Sequence, residues 1–508
     1  MDTIVNFILS QESIKVIAVL VGLFFIFSGV VGEAGINKAP LTKDAKRVLL
    51  FLGLLLFSLG VFIEVLPGTI GQRLPTTEAE EWISSGERTL IRSDSNVQRD
   101  RGVRSFERRR YSEAEEAFRA AAENEPNNPE IQIYRENARL RQEDEGSYFK
   151  IAAVVPAENG QQRAEAFLRG IADAQEDCNG TSLNSRSMEI VIADDADNEG
   201  RASRIAEQLS ATESVIGVIG HYSSSKTEVG LRKYEPSGIA VVSPTSTSKD
   251  IDSDVFFRTT PSDEKAGREL ATHAARDYAI NRVAGIFNSE DSYSKSLWTV
   301  FRDDYKSFGG SVVKELDLAL NFSMNDWLRM VEDSGADTLA LFPDTRLLRE
   351  AIAIASAVRE NEDIEGEKTA LIGGSTLYDP LVLQSGNTLQ DAVVAVPWFS
   401  SEDNAYARRG KDKWEGALNW ISAMSFDAAK AMCQAANEST ELTRSNLLAN
   451  LETLRLPEGE TSGGSLSFDA RGESGRDVVF VRIAHRSEGD VETPLATNYG
   501  FKLVEPRS

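Results

Sequence analysis

The chain has 508 residues, enough for two to four structural units of ~150 residues each and for a large buried core. Its hydrophobic fraction of 41% and charged fraction of 26% are typical of a globular protein and exclude a chain that is disordered or membrane-embedded throughout. Acidic residues outnumber basic ones by 79 to 55, and the resulting net charge of −24 disfavours nucleic acid as a partner. Two cysteines exclude a disulfide-rich scaffold, and three scattered histidines argue against a histidine-rich metal centre.

Two charge-free apolar runs near the N-terminus, 16–31 and 48–63, predict a pair of transmembrane helices within residues 1–66. The loop between them carries more basic than acidic residues, so the positive-inside rule places it in the cytoplasm and both chain ends outside. A cleaved signal peptide is disfavoured because Asp2 and Glu12 flank the first run and no A-x-A-like cleavage site follows it. A helical hairpin buried in a soluble protein is the other interpretation. We expect an anchor in the inner or plasma membrane, with the rest of the chain extracytoplasmic (periplasmic).

Residues 67–147 are interpreted as a polar linker followed by a helical hairpin. Apolar residues recur at helical spacing from about Val97 to Glu143, and a Pro-Asn-Asn-Pro turn interrupts them at 126–129. This pattern resembles one tetratricopeptide repeat and the first helix of a second. It fits either a spacer that holds the next domain off the membrane or a partner-binding module. The arginines between 101 and 110 fit a solvated helix face, with contacts to anionic lipid headgroups as the alternative.

Strand-like apolar runs alternate with amphipathic helices throughout 148–508, which predicts parallel sheets covered on both faces. This length is too great for one doubly wound sheet, so the predicted fold is α/β with two such sheets. Ligands bind at the carboxyl ends of the strands in such folds, and two facing sheets would enclose a cleft there. The predicted strands are 150–156, 189–193, 215–220, 239–243, 283–287, 338–342, 370–373 and 392–396, and the predicted helices are 162–176, 201–210, 264–278, 294–307 and 347–359.

Two hydroxyl-rich segments follow successive predicted strands. Ser223, Ser224 and Ser225 come after the strand 215–220, and a Ser-Pro-Thr-Ser-Thr segment ends the next strand at 243–247. Serine hydroxyls and the free N–H groups of a helix N-terminus favour an anion such as a carboxylate. Helix capping explains either cluster alone. On neighbouring strands, however, the two clusters would converge, and together they predict a binding site for a carboxylate with an ammonium group beside it.

Residues 148–508 resemble the type I periplasmic solute-binding proteins of the branched-chain amino-acid (Leu/Ile/Val) binding family. The same fold forms the ligand domain of metabotropic glutamate receptors. The resemblance implies two lobes joined by a hinge, with the ligand held between them. The segments that carry it are 220–225, 243–247, 257–263, 291–294 and 371–374.

The resemblance also implies ligand-binding roles for individual residues. Ser224 would hold the ligand α-carboxylate through its hydroxyl and backbone N–H. Thr245 and Thr247 would hold the carboxylate and the ammonium through carbonyl and hydroxyl groups. Asp263 would face the ammonium, and Tyr293 would cover the ligand from the second lobe.

One position departs from the family pattern. The second-lobe acid that completes ammonium binding falls near Ser375, which is neutral, and Asp379 is the candidate to replace it. An amino acid is therefore favoured as the ligand, while a simple carboxylate, an amide or a urea-like solute stays open. Phe342 and Trp398 are candidate pocket walls, for which packing in the core is the favoured alternative.

Other motifs give no support for an enzyme, a cofactor or a metal. The acidic segment 194–200 resembles the start of a calcium loop, but Ala206 stands where the loop needs a glutamate, so a solvated capping turn is the better interpretation. Walker A, G-x-G-x-x-G and G-x-S-x-G motifs are absent from the sequence. Cys178 and Cys433 would both lie in the first lobe by analogy, either as a disulfide or as two buried thiols.

These observations together predict a non-catalytic binding protein that captures a small polar solute, an amino acid above all, and closes over it by a hinge. It would serve an ABC-type permease or another membrane partner that senses occupancy. The alternative is a ligand-free envelope scaffold that regulates a membrane or cell-wall enzyme, in which the hydroxyl set would be idle. A receptor that signals inward is disfavoured by the short cytoplasmic loop.

Overall fold

The computed structural model describes residues 33–34, 39–40, 78–143, 147–180, 186–277, 282–320, 322–361, 369–401, 403–414, 418–486 and 497–504. The chain divides into two compact units, Met1–Thr76 and Thr77–Ser508. In the first unit, β1 (Glu33–Ala34) pairs antiparallel with β2 (Ala39–Pro40). The predicted spans 16–31 and 48–63 lie outside the described residues. None of the helices that the structure describes is long and apolar enough to cross a bilayer.

Residues 78–258 form most of the first lobe of the second unit. Their strands make a six-stranded sheet in which all neighbours are parallel except the first strand, which pairs antiparallel at one edge. In chain order the elements are α1 (Glu78–Glu81), β3 (Ile83–Ser84), α2 (Val97–Glu107), α3 (Tyr111–Asn124), α4 (Pro129–Leu140), β4 (Tyr148–Val155), α5 (Gln161–Gly180), β5 (Ser187–Asp194), α6 (Glu199–Ala211), β6 (Val215–Ile219), α7 (Ser224–Tyr234), β7 (Ala240–Ser243) and β8 (Phe256–Arg258). The strand order is β3-β5-β4-β6-β7-β8.

The second lobe repeats this plan on a seven-stranded sheet. Its elements are α8 (Asp263–Asp277), β9 (Arg282–Phe287), α9 (Ser292–Ser307), β10 (Ser311–Asp317), α10 (Met324–Ser334), β11 (Thr338–Phe342), α11 (Leu348–Glu360), β12 (Ala370–Gly373), α12 (Pro380–Gln384), α13 (Gly386–Leu389) and β13 (Val393–Val396). The order β10-β9-β11-β12-β13 matches the order β5-β4-β6-β7-β8 of the first sheet. Both are doubly wound arrangements with a topological switch point, where ligands bind.

The chain then returns to the first lobe before it ends in the second. The returning elements are α14 (Ala405–Lys413), α15 (Trp420–Glu438), α16 (Arg444–Glu452), β14 (Arg455–Leu456) and β15 (Leu466–Ser467), followed by β16 (Val479–His485) and β17 (Tyr499–Leu503), which extend the second sheet antiparallel. The two-lobed fold predicted from the sequence is confirmed, and the eight predicted strands and five predicted helices agree with the structure to within a few residues at each end. Strands such as β6 are buried at every residue and therefore appear in the sequence as continuous apolar runs, which is why they could be predicted.

The two cysteines join helices of the first lobe that are distant in sequence. Cys178 near the end of α5 forms a disulfide with Cys433 in α15. Among the alternatives left open by the sequence, the structure therefore has the bonded pair. A disulfide of this kind is typical of an oxidising compartment.

Three segments connect the lobes, at 259–262, 397–404 and 468–478. They are held to each other and to α15: the Arg258 N–H donates to the Gly472 carbonyl at 2.9 Å, and the Thr259 hydroxyl donates to the Met424 carbonyl at 2.9 Å. Arg476 in the third segment pairs with the buried carboxylate of Asp427 in α15 at 2.8 Å. These contacts anchor the connections on the first-lobe side, which is where a hinge needs a fixed end.

The helices α2 to α4, predicted as a spacer or partner module between residues 97 and 143, pack on the first lobe. Phe106, Phe118 and Tyr134 are buried in a core that also contains Phe149 and Ile151 of β4. The segment before these helices supplies β3 to the sheet, and the buried Glu130 carboxylate accepts the N–H groups of residues 90 and 91 at 2.6 and 3.2 Å. A fragment that begins at residue 148 would therefore expose part of this core.

Asn137 in α4 is the polar centre of this junction. Its Nδ2 donates to the carbonyls of Ser85 and Ile190 at 2.8 and 2.7 Å. Its Oδ1 accepts the Ile190 N–H at 3.1 Å and the Gln175 Nε2 at 2.8 Å. The side chain is fully buried, so all four of its hydrogen-bonding positions are used inside the protein.

We predict that Asn137→Ala lowers the free energy of unfolding of the full chain by ~2–4 kcal/mol, because buried backbone groups of Ile190 in β5 and of Ser85 after β3 lose their partners. Urea denaturation followed by tryptophan fluorescence measures this change. The matched control is Asn124→Ala, since the exposed Asn124 amide bonds only its own helix, and its effect should stay within ~0.5 kcal/mol. Equal effects of the two variants would contradict this account of the junction.

Candidate ligand-binding cleft

The carboxyl ends of the strands in both sheets border one cleft between the lobes. Loops after β5, β6 and β7 line it from the first lobe, and loops after β9, β11 and β12 line it from the second. The cleft has a volume of about 490 Å³, within the range of small-molecule sites. This is the position that the doubly wound order of the two sheets predicts.

The serine segment after β6 enters the cleft at Gly220. Its φ of +135° belongs to the region that favours glycine, and a Cβ there would lie 2.6 Å from the Val154 carbonyl oxygen. Ser224 follows at the N-terminus of α7, and its Oγ accepts the N–H groups of Thr247 and Ser248, both at 3.2 Å. The two hydroxyl-rich segments therefore meet, as the sequence predicted.

This arrangement determines what the Ser224 hydroxyl has to offer. A hydroxyl carries one donor and two acceptor positions, and both acceptor positions of Ser224 are taken by N–H groups. Among the described residues the structure gives its O–H no acceptor. The remaining donor, close to the N–H groups of α7, suits an anionic oxygen.

The Thr245 hydroxyl has a hydrogen-bond partner inside the protein. Its hydroxyl donates to the Tyr222 carbonyl at 2.6 Å, so its proton is used in holding the serine segment. Thr245 still lines the cleft. It keeps acceptor positions and a carbonyl, but no hydroxyl proton, for a ligand.

A smaller cavity of about 20 Å³ adjoins the cleft near the interlobe segments. Tyr293 and Ser375 line both spaces, so the two cavities adjoin at these side chains. The small cavity is bordered by three buried polar atoms that have no hydrogen-bond partner among the described protein groups: Thr247 Oγ1, Thr260 Oγ1 and Asp263 Oδ2. Its size is close to that of one ammonium group or one water molecule.

Asp263 is the acid of this small cavity, and only 1% of it is exposed. Burial raises the pKa of its carboxyl from 3.8 to about 7. The nearby hydroxyls of Thr247 and Ser296, as weak hydrogen-bond donors to this carboxyl, and the charge of Arg258 oppose that shift, and the charge of Asp291 adds to it. An ammonium group beside Asp263 would supply the charge that its surroundings lack.

Tyr293 approaches from the second lobe in the first turn of α9. Its hydroxyl lies 3.5 Å from the Thr376 Oγ1, and a Cβ on Gly374 would lie 2.3 Å from its Oη. Glycine at 374 is therefore required for Tyr293 to lie flat against the loop after β12. Burial keeps the pKa of Tyr293 well above its ordinary value, so the phenol is neutral at physiological pH.

The remaining second-lobe candidates are Asp379, Phe342 and Trp398. Asp379 accepts the Leu381 N–H at 2.8 Å as the N-cap of α12, and its charge adds to the effect of burial, which raises the pKa of the cleft residue Tyr222, but Asp379 is absent from the described residues that line the two cavities. Phe342 is fully buried against Phe301, and the Trp398 indole donates to the Ser462 carbonyl. Core packing, the favoured interpretation of both aromatic residues, is confirmed.

Several charged residues of the cleft were not identified from the sequence. Asp197 belongs to the turn 194–200 that was interpreted as a solvated cap, although it follows β5 and faces the cleft. Lys226, Asp291, Asp344 and Arg346 also line the space. The signal that was available is position, because each lies within a few residues of a strand's carboxyl end or of the helix that follows it. Among the described residues, no group of acids, histidines or cysteines has the arrangement of a metal site.

Direct contacts join the lobes at the rim of the cleft. The Ser292 hydroxyl at the start of α9 contacts the Glu228 carboxylate of α7 and lies 3.0 Å from the Ser248 Oγ. The Lys249 N–H donates to the Ser296 Oγ at 2.9 Å. The lobes are thus in contact in this structure without filling the space between them.

This chain resembles known proteins over the region that forms the two lobes. A model of the periplasmic binding protein family matches residues 150–489. An amino acid binding protein of Pseudomonas aeruginosa is 28% identical over 160 residues, 30% of this chain and 41% of that protein, so the chain spans less than half of its length. A Leu/Ile/Val-binding protein of Citrobacter freundii is 23% identical over 336 residues, 63% of this chain and 87% of that protein.

A solved structure extends the comparison to the fold. The solute-binding protein of an ABC transporter from R. palustris, in complex with 4-hydroxybenzoate, superposes with a TM-score of 0.61 at 16% identity and covers 70% of this chain and 96% of its own. At this identity the likeness concerns the fold alone. Since the family model matches well over half of the chain, the protein belongs to the periplasmic binding protein family.

Proposed function

We propose that this protein is an extracytoplasmic binding protein that captures a small polar solute, an amino acid above all, between its two lobes. The observation that carries the proposal is the set of buried polar atoms without partners at the small cavity, together with the unused Ser224 proton. Buried polar groups are almost always hydrogen-bonded in native proteins, so several buried polar atoms without hydrogen bonds in one cavity suggest a ligand that would bond them.

The arrangement fits the two ends of an amino acid. The carboxylate would lie at the N-terminus of α7 and receive the Ser224 hydroxyl. The ammonium would enter the small cavity and bond the Asp263 carboxylate and the Thr247 hydroxyl, while Ser375 and Tyr293 would close the site from the second lobe. Asp263 then takes the part of the missing second-lobe acid, which explains how a neutral Ser375 is tolerated.

Membrane anchoring and delivery complete the proposal. The two apolar runs would tether the protein to the outer face of the inner membrane, and the disulfide supports an oxidising compartment on that side. Closure over the solute would be read by an ABC-type importer or a sensing partner. The tetratricopeptide-like nature of the helices α2 to α4 and the domain limits at 66 and 147 stay predictions.

Two alternatives make different predictions: one is a carboxylate ligand without an ammonium group, and the other is a scaffold that binds no ligand. The R. palustris relative in fold was solved with 4-hydroxybenzoate, a carboxylate without an ammonium group. A protonated Asp263 would serve such a ligand as a hydrogen-bond donor. A ligand-free scaffold would instead have no use for the Ser224, Thr247 and Asp263 side chains.

Thr247→Val tests whether this hydroxyl exists for a ligand. Its Oγ1 makes no hydrogen bond of normal geometry with the described residues, and its interaction with the Asp263 carboxyl is weak, so we expect the unfolding free energy without ligand to change by less than ~1 kcal/mol. Amino-acid affinity should fall about tenfold, the equivalent of ~1.4 kcal/mol. Thermal unfolding of the full chain and isothermal titration against a panel of amino acids measure both quantities.

Thr245→Val is the matched control for that variant. Its hydroxyl bonds the Tyr222 carbonyl, so the same change should destabilise the protein by ~1–2 kcal/mol. Equal destabilisation by both variants would show that the Thr247 hydroxyl is structural. Binding of no amino acid, amide or carboxylate by the unaltered protein would overturn the proposed function.

The pH dependence of affinity separates the ligand classes. An ammonium binds the ionised Asp263 and lowers its pKa, so amino-acid binding releases a proton and affinity should rise from pH 5.5 to about 7.5. The slope approaches tenfold per pH unit well below the pKa. Benzoate should show the opposite trend, because it gains from the protonated acid and is repelled by the ionised one.

Titration calorimetry in two buffers of different ionisation enthalpy measures the protons released. Asp263→Asn should remove most of the pH dependence, leaving a weaker part from Asp291, whose pKa burial raises to about 6. An amino-acid affinity that is flat or falls over this pH range would contradict the assignment of the ammonium to Asp263.

A further inference from the structure

The wide part of the cleft is negatively charged. Five acidic residues line it against two basic ones, an excess of three negative charges: Asp197, Glu199, Glu290, Asp291 and Asp344 against Lys226 and Arg346. Such a lining is costly beside an aliphatic ligand side chain, because closure would remove carboxylates from water without supplying partners. The net negative charge of the cleft therefore indicates which ligand side chains the cleft can accept.

Both basic residues already have acidic partners. Lys226 Nζ lies 3.4 Å from the Asp197 carboxylate, and Arg346 Nε lies 3.6 Å from that of Asp344. The Arg346 side chain is 66% exposed and points largely to solvent. Neither cation is left over for an anionic ligand side chain, which disfavours an acidic amino acid or a dicarboxylate.

Asp291 is a partly buried acid of the cleft that forms no ion pair with the described residues. Its carboxylate accepts the Ser294 N–H at 2.9 Å as the N-cap of α9. Burial raises the pKa of this carboxyl to about 6, the charges of Asp344 and Asp197 raise it further, and only Lys226 opposes them. Acids from the loops after β5, β9 and β11 thus act on one another across the two lobes.

An independent observation connects these acids to a ligand. The small cavity that adjoins the cleft is lined by Thr247 and Asp263, both more than nine-tenths buried, and the Thr247 Oγ1 and Asp263 Oδ2 atoms make no hydrogen bond of normal geometry with the described residues. Tyr293 and Ser375 border both spaces. A ligand whose α-ammonium is held at Asp263 would extend its side chain into the acidic part of the cleft, past Tyr222 and Trp420, which can cover an alkyl chain.

We propose that the ligand is an amino acid with a cationic side chain, an alkyl-ammonium or alkyl-guanidinium group, whose charge lies among Asp197, Asp291 and Asp344. This inference rests on the proposed function and names its substrate class. It departs from the branched-chain specificity stated in the names of the relatives, because an apolar side chain has no counterpart for these carboxylates.

The test compares L-lysine with L-norleucine, which has the same four-carbon side chain without the terminal ammonium. We expect the full chain to bind L-lysine at least tenfold more tightly at pH 7.5 and low salt, with L-arginine close to lysine and L-glutamate weakest. Isothermal titration calorimetry gives each dissociation constant. Because charge carries the preference, the lysine-to-norleucine ratio should shrink as ionic strength rises.

Asp291→Asn should lower the ratio of the lysine affinity to the norleucine affinity about tenfold. The amide of asparagine can still cap the N-terminus of α9, so the helix is preserved. Asp197→Asn is the second variant, since its φ of +52° is tolerated by asparagine and the amide oxygen can still accept the Ser223 hydroxyl. Asp333→Asn, on the exposed face of α10 outside the cleft, is the control with the same charge change and should leave the ratio unchanged.

The outcomes separate this inference from the function on which it rests. Tighter binding of norleucine, leucine or glutamate than of lysine overturns the cationic assignment and leaves amino-acid capture standing. An unchanged ratio in both cleft variants likewise overturns it. Failure of the protein to bind any amino acid, amide or carboxylate overturns the proposed function itself.

Discussion

A carboxylate buried without a matching partner is the constraint on which this structure depends. Asp263 is almost fully inaccessible, and its Oδ2 has no partner among the described groups. Its raised pKa means that ionisation near neutral pH weakens the folded state, since the unfolded chain ionises with less cost. Under the proposed function, the ammonium group of a ligand would offset this cost. Other features stabilise the fold and offset this loss of stability: the disulfide, the shared core of α2 to α5 and the hydrogen bonds that hold the interlobe segments.

Arg258 connects this acid to the segments between the lobes. It ends β8, donates to the carbonyls of Ser246 and Ser248 at 3.2 and 2.9 Å, and lies 3.1 Å from the Glu473 carboxylate in the third connecting segment. Its charge also acts on Asp263. The Arg258 guanidinium therefore lies between the acid of the small cavity and an acid of the third connecting segment, and both carboxylates share its positive charge.

The parts of the fold that the sequence revealed are those with local patterns. Apolar runs such as 338–342 marked buried parallel strands, and hydroxyls after β6 and β7 marked the strand ends that meet through Ser224. The parts that it concealed depend on contacts distant in the chain. The strand β3 has only two residues, too few to show an alternating pattern of apolar residues. Asn137 has the sequence context of an ordinary helical residue, and its role becomes visible only when its hydrogen bonds to β5 are known. The Asp263 site shows the same limit, since the family pattern located the residue but only the packing shows that its partners are missing.

The acids of the cleft explain how capture and closure could depend on one another. Asp197 belongs to the first lobe, and Asp291 and Asp344 belong to the second, so approach of the lobes brings like charges together. Lys226 offsets this repulsion only in part, because it is already close to Asp197. The rim contacts of Ser292 hold the lobes together against the remaining charge. A cation between the three carboxylates would change the sign of that interaction, and a neutral side chain of equal length would not. Selectivity for a charged side chain would then reside in the closed state, where the water that screens the carboxylates has been excluded.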